Sequence, residues 1–256
     1  MMANRPTSAV FTTVLWDGGL KIADFDRHIS RLKQHAERLR IVLPEYLEKE
    51  IATCLNNVAG KFDDIQLLNI TYDADEQKFI VKPRQLPTLR NCDIHAMALP
   101  LTKWLGRITG TKHGDWQPYI SAQDVANQRG ADIALLVDDY CIVDSDRAGL
   151  MVIDEDGVAY ITNSEKSVQS ITLDIITEAV RDMGVPLVYA KLNERLVARS
   201  SEILALGVGL GCCRILSIDG EEVGQNDSVI WQECEEYLAQ HYSNTDNWVD
   251  LCRYLN

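Results

Sequence analysis

Residues 9–22, AVFTTVLWDGGLKI, constrain this chain more than any other stretch. Ala9 to Trp16 is rich in β-branched and aromatic side chains, which suit a pleated strand. Asp17-Gly18-Gly19 is a tight-turn sequence, so Leu20 to Ile22 returns as the hairpin partner. The run that follows, DFDRHISRLKQHAERLRI, places Phe25, Ile29, Leu32, His35 or Ala36, and Leu39 at helical spacing. A hairpin that leads straight into an amphipathic helix needs a sheet with a helix packed on one face, which is an α+β arrangement.

The pattern continues in kind. A second helix fits Pro44 to Val58, with Pro44 in its first turn and Gly60 just past its end. Strand-like runs at Ile65 to Tyr72, Lys78 to Val81 and Asp93 to Leu99 complete an antiparallel layer, giving a small N-terminal domain over residues 1–105. The stretch LTKWLGRITGTKHGDWQPY carries three glycines and a proline, so residues 106–119 read as the connection into a second domain, 106–256. That domain begins with a short helix, Ser121 to Arg129. Brief strands follow at Ile133 to Val137, Cys141 to Val143, Leu150 to Ile153 and Val158 to Ile161. Next come a helix at Thr172 to Met183, a strand at Leu187 to Ala190 and a short helix at Glu194 to Ser200. Strands at Ile203 to Leu206 and Cys213 to Ile218 flank the turn GVGLG. The tail from Ile230 reads as a helix broken near Asn244.

Composition narrows the function classes. The 256 residues are 46% hydrophobic and 25% charged, enough apolar material for a real core. A net charge of −13 argues against a nucleic-acid partner, which usually meets a basic patch. No apolar run reaches the ~20 residues of a membrane helix, and MMANRPTSAV has no long apolar stretch, so no secretory signal is expected. Seven cysteines, an odd number with no C-x-x-C pair, predict neither a metal site nor a disulfide framework but reduced thiols in a cytoplasmic protein. G-x-S-x-G, H-E-x-x-H, a P-loop and G-x-G-x-x-G after a strand are all lacking, which removes the common hydrolase and nucleotide-binding readings.

Lys112, in GTKHGD, is the residue with the most chemistry to offer. Most lysines are solvated surface charges. A lysine becomes a nucleophile when burial or neighbouring cations depress its pKa. The sequence around it resembles the class IV aminotransferases. In that family a Phe-x-Thr strand leads through a hairpin to a helix carrying His-x-x-Arg-Leu; here these are Phe11, Thr12, Thr13, His28, Arg31 and Leu32. GTKHGDW stands at the place of the family's Schiff-base lysine. GADIALLVDDYCIVDSDRAGLMVIDEDGVAYIT follows its run of Gly-Ala-Asp-Glu-Ala-Leu-Leu, turn, Val-x-Glu, strand and second turn. The resemblance spans roughly residues 8 to 224.

The resemblance implies an α+β, two-domain fold of pyridoxal-phosphate (PLP) type IV. Its small N-terminal α/β domain and larger C-terminal domain with a barrel-like core hold the cofactor between them, commonly in a homodimer. It also implies roles. Lys112 matches the lysine that forms the Schiff base and moves protons, and Arg31 the arginine that binds the cofactor phosphate, for which a planar cationic fork is suited. Asp144 stands where the family has a glutamate facing the pyridine nitrogen. Ser170-Ile171-Thr172-Leu173 replaces Gly-Ile-Thr-Arg at a helix start, where the amides of Ile171 and Thr172 suit a phosphate. In GVGLG, Val208 replaces a threonine, which leaves the amides of Val208 and Gly209. Thr13 matches a strand position that faces the active site, His113 stands beside the lysine, and Trp116 lies near an aromatic position of the family's post-lysine segment. Strand propensity and core packing account equally for Thr13 and Trp116. The implied function is amino-group transfer between an amino acid and a 2-oxo acid with PLP. The FTT triplet also suits 4-amino-4-deoxychorismate lyase, acting on aminodeoxychorismate. The substitutions around the cofactor leave open a non-catalytic relative.

Overall fold

A computed structural model describes residues 5–62, 64–224 and 229–255. The chain starts with β1 (Ala9–Trp16), β2 (Lys21–Ala23), α1 (Phe25–Leu39), α2 (Leu47–Asn56), β3 (Gln66–Asp73) and β4 (Lys78–Arg84). It continues through β5 (Asp93–Pro100), α3 (Gln117–Gln128), β6 (Ile133–Asp138), β7 (Cys141–Ser145), β8 (Gly149–Asp154), β9 (Ala159–Thr162) and α4 (Ile171–Asp182). It closes with β10 (Leu187–Ala190), β11 (Leu192–Asn193), α5 (Glu194–Ala198), β12 (Ser200–Gly207), β13 (Gly211–Ile218), β14 (Glu221–Glu222), α6 (Val229–Ser243) and β15 (Trp248–Asp250).

Two compact units result. The first combines Met1–Pro87, Gly106–Trp116 and His241–Asn256; the second combines Thr88–Leu105 and Gln117–Gln240. The expected single boundary at residue 105 therefore gives way to several crossings, because the segment around Lys112 and the C-terminal tail both pack with the N-terminal elements.

The first unit is a five-stranded sheet in the order β15-β2-β1-β3-β4. β1 runs antiparallel to β3 over eight pairs, from Ala9↔Asp73 to Trp16↔Gln66. The β1–β2 turn needs its glycine: Gly18 has φ 82°, and a Cβ there would lie 2.2 Å from the Phe62 carbonyl oxygen. Phe25, Ile29, Leu32, Ala36 and Leu39 of α1 sink into a core with Val10, Val14 and Trp16, as the helical spacing predicts. α2 is shorter than expected: it begins at Leu47, and Pro44 lies ahead of it rather than in its first turn.

The second unit is built on a ten-stranded, nearly closed sheet in the order β10-β9-β8-β12-β13-β5-β6-β7-β11, with β14 added on β13. β8 is buried along its whole length, so both of its faces are covered. The expectation that Asp93–Leu99 belongs to the N-terminal layer is corrected here. β5 pairs in parallel with β13 and β6, in the barrel-like sheet. Its alternating burial would suit either sheet, and the choice is made by a partner about 120 residues downstream. The C-terminal tail is also corrected: the helix ends at Ser243 as expected, but β15 follows and pairs with β2.

Candidate functional site

Lys112 lies outside any regular strand or helix, so its neighbours fix it. Its carbonyl accepts the Phe11 N–H at 3.3 Å, and its own N–H donates to His35 Nδ1 at 3.1 Å. His113 forms an antiparallel bridge with Val10, and the Gly114 N–H donates to the Pro6 carbonyl. A Cβ at Gly114 would come 2.6 Å from the Arg5 carbonyl oxygen, so that close approach requires glycine. The Lys112 ammonium sits 5.1 Å from the Phe11 ring centroid and 4.8 Å from that of Trp116, between two rings that meet edge-on.

Beside it, α1 presents a buried polar face. Arg31 is 5% exposed, and its Nη2 donates to Thr12 Oγ1 at 2.7 Å. Thr12 Oγ1 also lies 2.9 Å from His28 Nδ1. Arginine only donates, so the Thr12 hydroxyl accepts from Arg31 and is hydrogen-bonded to the His28 ring, in a sense set by the tautomer of the imidazole. Burial, followed by the charges of Arg31 and Lys112, holds the His28 pKa well below its ordinary value. His35 is pushed down to about 2 by burial, then by Arg31, Lys112, Arg38 and His113. His113 falls to about 4 through burial, which the nearby Asp115 carboxylate partly opposes. Arg38 donates to the carbonyls of Arg107, Gly110 and Thr109, at 3.0, 3.2 and 2.6 Å. The face thus carries fixed positive charge among imidazoles that stay neutral.

From the sequence Thr12 is only a member of the Phe-Thr-Thr triplet with no role of its own, and His35 and Arg38 carry none. Thr13 is the one singled out, yet Thr12 is the fully buried threonine bonded to Arg31, and Thr13 shares the opposite face of β1 with Phe11. The alternation Val10-x-Thr12-x-Val14 is the signal that distinguishes the two.

The second unit holds the remaining predicted residues. Asp144, at the end of β7, is 3% exposed. Its Oδ1 accepts the Ser145 N–H at 2.9 Å, and its Oδ2 accepts the Val168 N–H at 3.0 Å and the Tyr119 hydroxyl at 3.3 Å. Burial and the Asp144 charge raise the Tyr119 pKa, so the phenol keeps its proton and donates. Tyr119 lies just beyond the Lys112 segment and nothing local in the sequence marks it. Ser170 caps α4: its Oγ accepts the Leu173 N–H and donates to the Leu206 carbonyl. Ile171 and Thr172 form the buried first turn. Leu173, where the family has arginine, packs against Gly149, at which a Cβ would fall 2.9 Å from Leu173 Cδ2. Val208 and Gly209 sit in the β12–β13 turn, and their carbonyls accept from Arg90 Nη1 at 2.7 and 3.0 Å. Two surface cavities of this unit, of about 250 and 410 Å³, contain none of these residues.

A sequence model of amino-transferase class IV matches residues 9–218, most of the chain. The chain belongs to the class IV aminotransferase family. Among curated proteins no sequence match is found. Solved structures agree with the family's fold. A branched-chain aminotransferase from Thermoproteus uzoniensis superposes with a TM-score of 0.80 at 16% identity, over 96% of this chain and 90% of that one. A hypothetical aminotransferase from Mycobacterium tuberculosis, in a PLP-bound form, gives 0.78 at 16%, over 94% and 92%. A putative 4-amino-4-deoxychorismate lyase from Legionella pneumophila gives 0.77 at 14%, over 94% of both chains. At these identities the likeness establishes the fold: α+β, two domains, with the barrel-like sheet of fold type IV.

Proposed function

We propose that this class IV aminotransferase is a PLP-dependent enzyme that moves an amino group between an amino acid and a 2-oxo acid, with Lys112 as its reactive amine. The buried polar face of α1 carries the reading. The residues fit the cofactor: Arg31 is a buried cation that donates to Thr12 beside the neutral His28, and it lies in one cluster with Lys112. A planar cationic fork of this kind suits a phosphate dianion. PLP, when bound, supplies an aldehyde that condenses with amines and a ring that accepts electrons.

Each residue then has a task. Arg31 pairs with the phosphate through its planar fork. Lys112 Nζ takes the proton from the substrate's α-carbon and gives it back later. The carboxylate of Asp144, oriented by two backbone N–H groups and the Tyr119 phenol, balances a protonated ring nitrogen. Thr13, on the face of β1 that carries Phe11, offers a hydroxyl toward the same reaction. The chain is proposed to work as a cytoplasmic homodimer on small molecules.

A lyase reading, with aminodeoxychorismate as substrate, is favoured by one observation: Thr13 shares its face with Phe11, whose ring lies against the Lys112 amine. The products decide between the two. Purified protein with PLP should convert amino acid to oxo acid only when a 2-oxo acid acceptor is present. Release of 4-aminobenzoate and pyruvate from aminodeoxychorismate alone would overturn aminotransfer in favour of the lyase.

A further inference from the structure

The segment before Lys112 has little structure of its own. The Thr111 N–H and hydroxyl both donate to the Ile108 carbonyl, at 3.1 and 2.7 Å, making one turn. Further bonds come from α1. His28, Arg31, His35 and Arg38 are spaced by three, four and three residues, which puts them on one face of the helix. At the far end of that face the Arg38 fork takes three carbonyls of the segment, those of Arg107, Thr109 and Gly110. One turn back, His35 Nδ1 takes the N–H of Lys112 itself, while β1 takes its carbonyl.

We propose that His35 and Arg38 are positioning residues for Lys112, setting from one face of α1 where the peptide of the reactive amine lies. The proposal rests on the reading of Lys112 given above. The hydrogen bond demands a neutral imidazole, because a protonated Nδ1 has no lone pair to accept with. Burial among Arg31, Lys112, Arg38 and His113 keeps His35 neutral down to about pH 2, so the acceptor survives over any working range. Space-filling and accepting make different demands on a substitute. Leucine fills the site but accepts nothing. Asparagine carries Oδ1 on Cγ, where histidine carries Nδ1, and so restores the acceptor.

The test uses the full chain as wild type, H35N, H35L and R38M, each checked for folding by thermal melting. Two quantities are read. One is hydrogen exchange of the Lys112 amide in cofactor-free protein. The other is the rate at which added PLP becomes fixed on Lys112 by borohydride, followed by peptide mapping. H35L and R38M should exchange the amide about tenfold faster and fix PLP on Lys112 about tenfold more slowly, because a displaced nucleophile loses rate steeply. H35N should stay within about threefold of wild type on both. If H35L matches H35N, or H35N is as impaired as H35L, the positioning role is wrong while the reading of Lys112 stands. Should H35L fail to fold, R38M decides by the same measures. If wild type forms no adduct at Lys112, the reading of Lys112 fails and takes the proposal with it.

Discussion

At the scale of single residues, the Thr12 hydroxyl is the hinge of the buried polar cluster, since it accepts from Arg31 and is hydrogen-bonded to His28. Thr12→Val leaves both partners short of a bond, and chemical denaturation should show a loss of about 1–3 kcal/mol. Thr13→Val, on the other face of β1, should change stability by no more than about 0.5 kcal/mol. Equal losses in the two variants would contradict this assignment of faces. His35 gives a second prediction. Below pH 6.5 an unfolded His35 takes a proton that the folded one refuses down to about pH 2, so the unfolded state gains and stability falls as pH drops through that window. Between pH 6.5 and 5 this one group should contribute about 2 kcal/mol of acid destabilisation. H35N should show a correspondingly shallower dependence of unfolding free energy on pH, and an unchanged slope would refute the neutral buried imidazole. Lys112 and Arg31 were legible in the sequence through the family motif. The role of Thr12 was not legible, because β-propensity treats neighbouring threonines alike and only the facing of Val10 and Val14 separates them.

Among the elements, those governed by local pattern were readable and those governed by distant partners were not. β1 and α1 appear where the periodicity places them, since each carries its own burial pattern and its own turn. β5 was assigned to the wrong sheet because its partner strands, β13 and β6, lie later in the chain. The start of α4 shows how a departure from the family motif is absorbed. Leu173 and Ser170 press on Gly149, where a Cβ would meet Ser170 Cβ at 2.8 Å and Leu173 Cδ2 at 2.9 Å. Gly149→Ala must therefore push the first turn of α4 away from β8. It should lower stability by about 1–3 kcal/mol in thermal or urea unfolding. A neutral Gly149→Ala would show that the turn yields freely and that α4 is not pinned there.

On the scale of the whole molecule, the two ends of the chain meet in one sheet. β15 adds antiparallel to β2, the Leu251 N–H donates to the Leu20 carbonyl, and His241 Nε2 lies 3.0 Å from the Asp24 carboxylate. Leu251 is fully buried in the core of α1 and β1. Leu251→Ala should cost about 2–5 kcal/mol, as truncating a fully buried leucine does. A loss well below 1 kcal/mol would mean that the tail is a loosely held appendage. The helical reading of the tail missed this because three residues, Trp248–Asp250, are too few to announce a strand. The same interweaving brings residues 106–116 back to the N-terminal elements, where His35, Arg38 and Phe11 fix Lys112. The central claim is that this lysine carries PLP. The direct measurement is the visible spectrum of the purified protein with added PLP, followed by borohydride reduction and peptide mass mapping. The account predicts a yellow protein with a single pyridoxyl adduct on Lys112; a colourless protein that takes up no PLP, or adducts scattered over surface lysines, would contradict it and point to a non-catalytic relative.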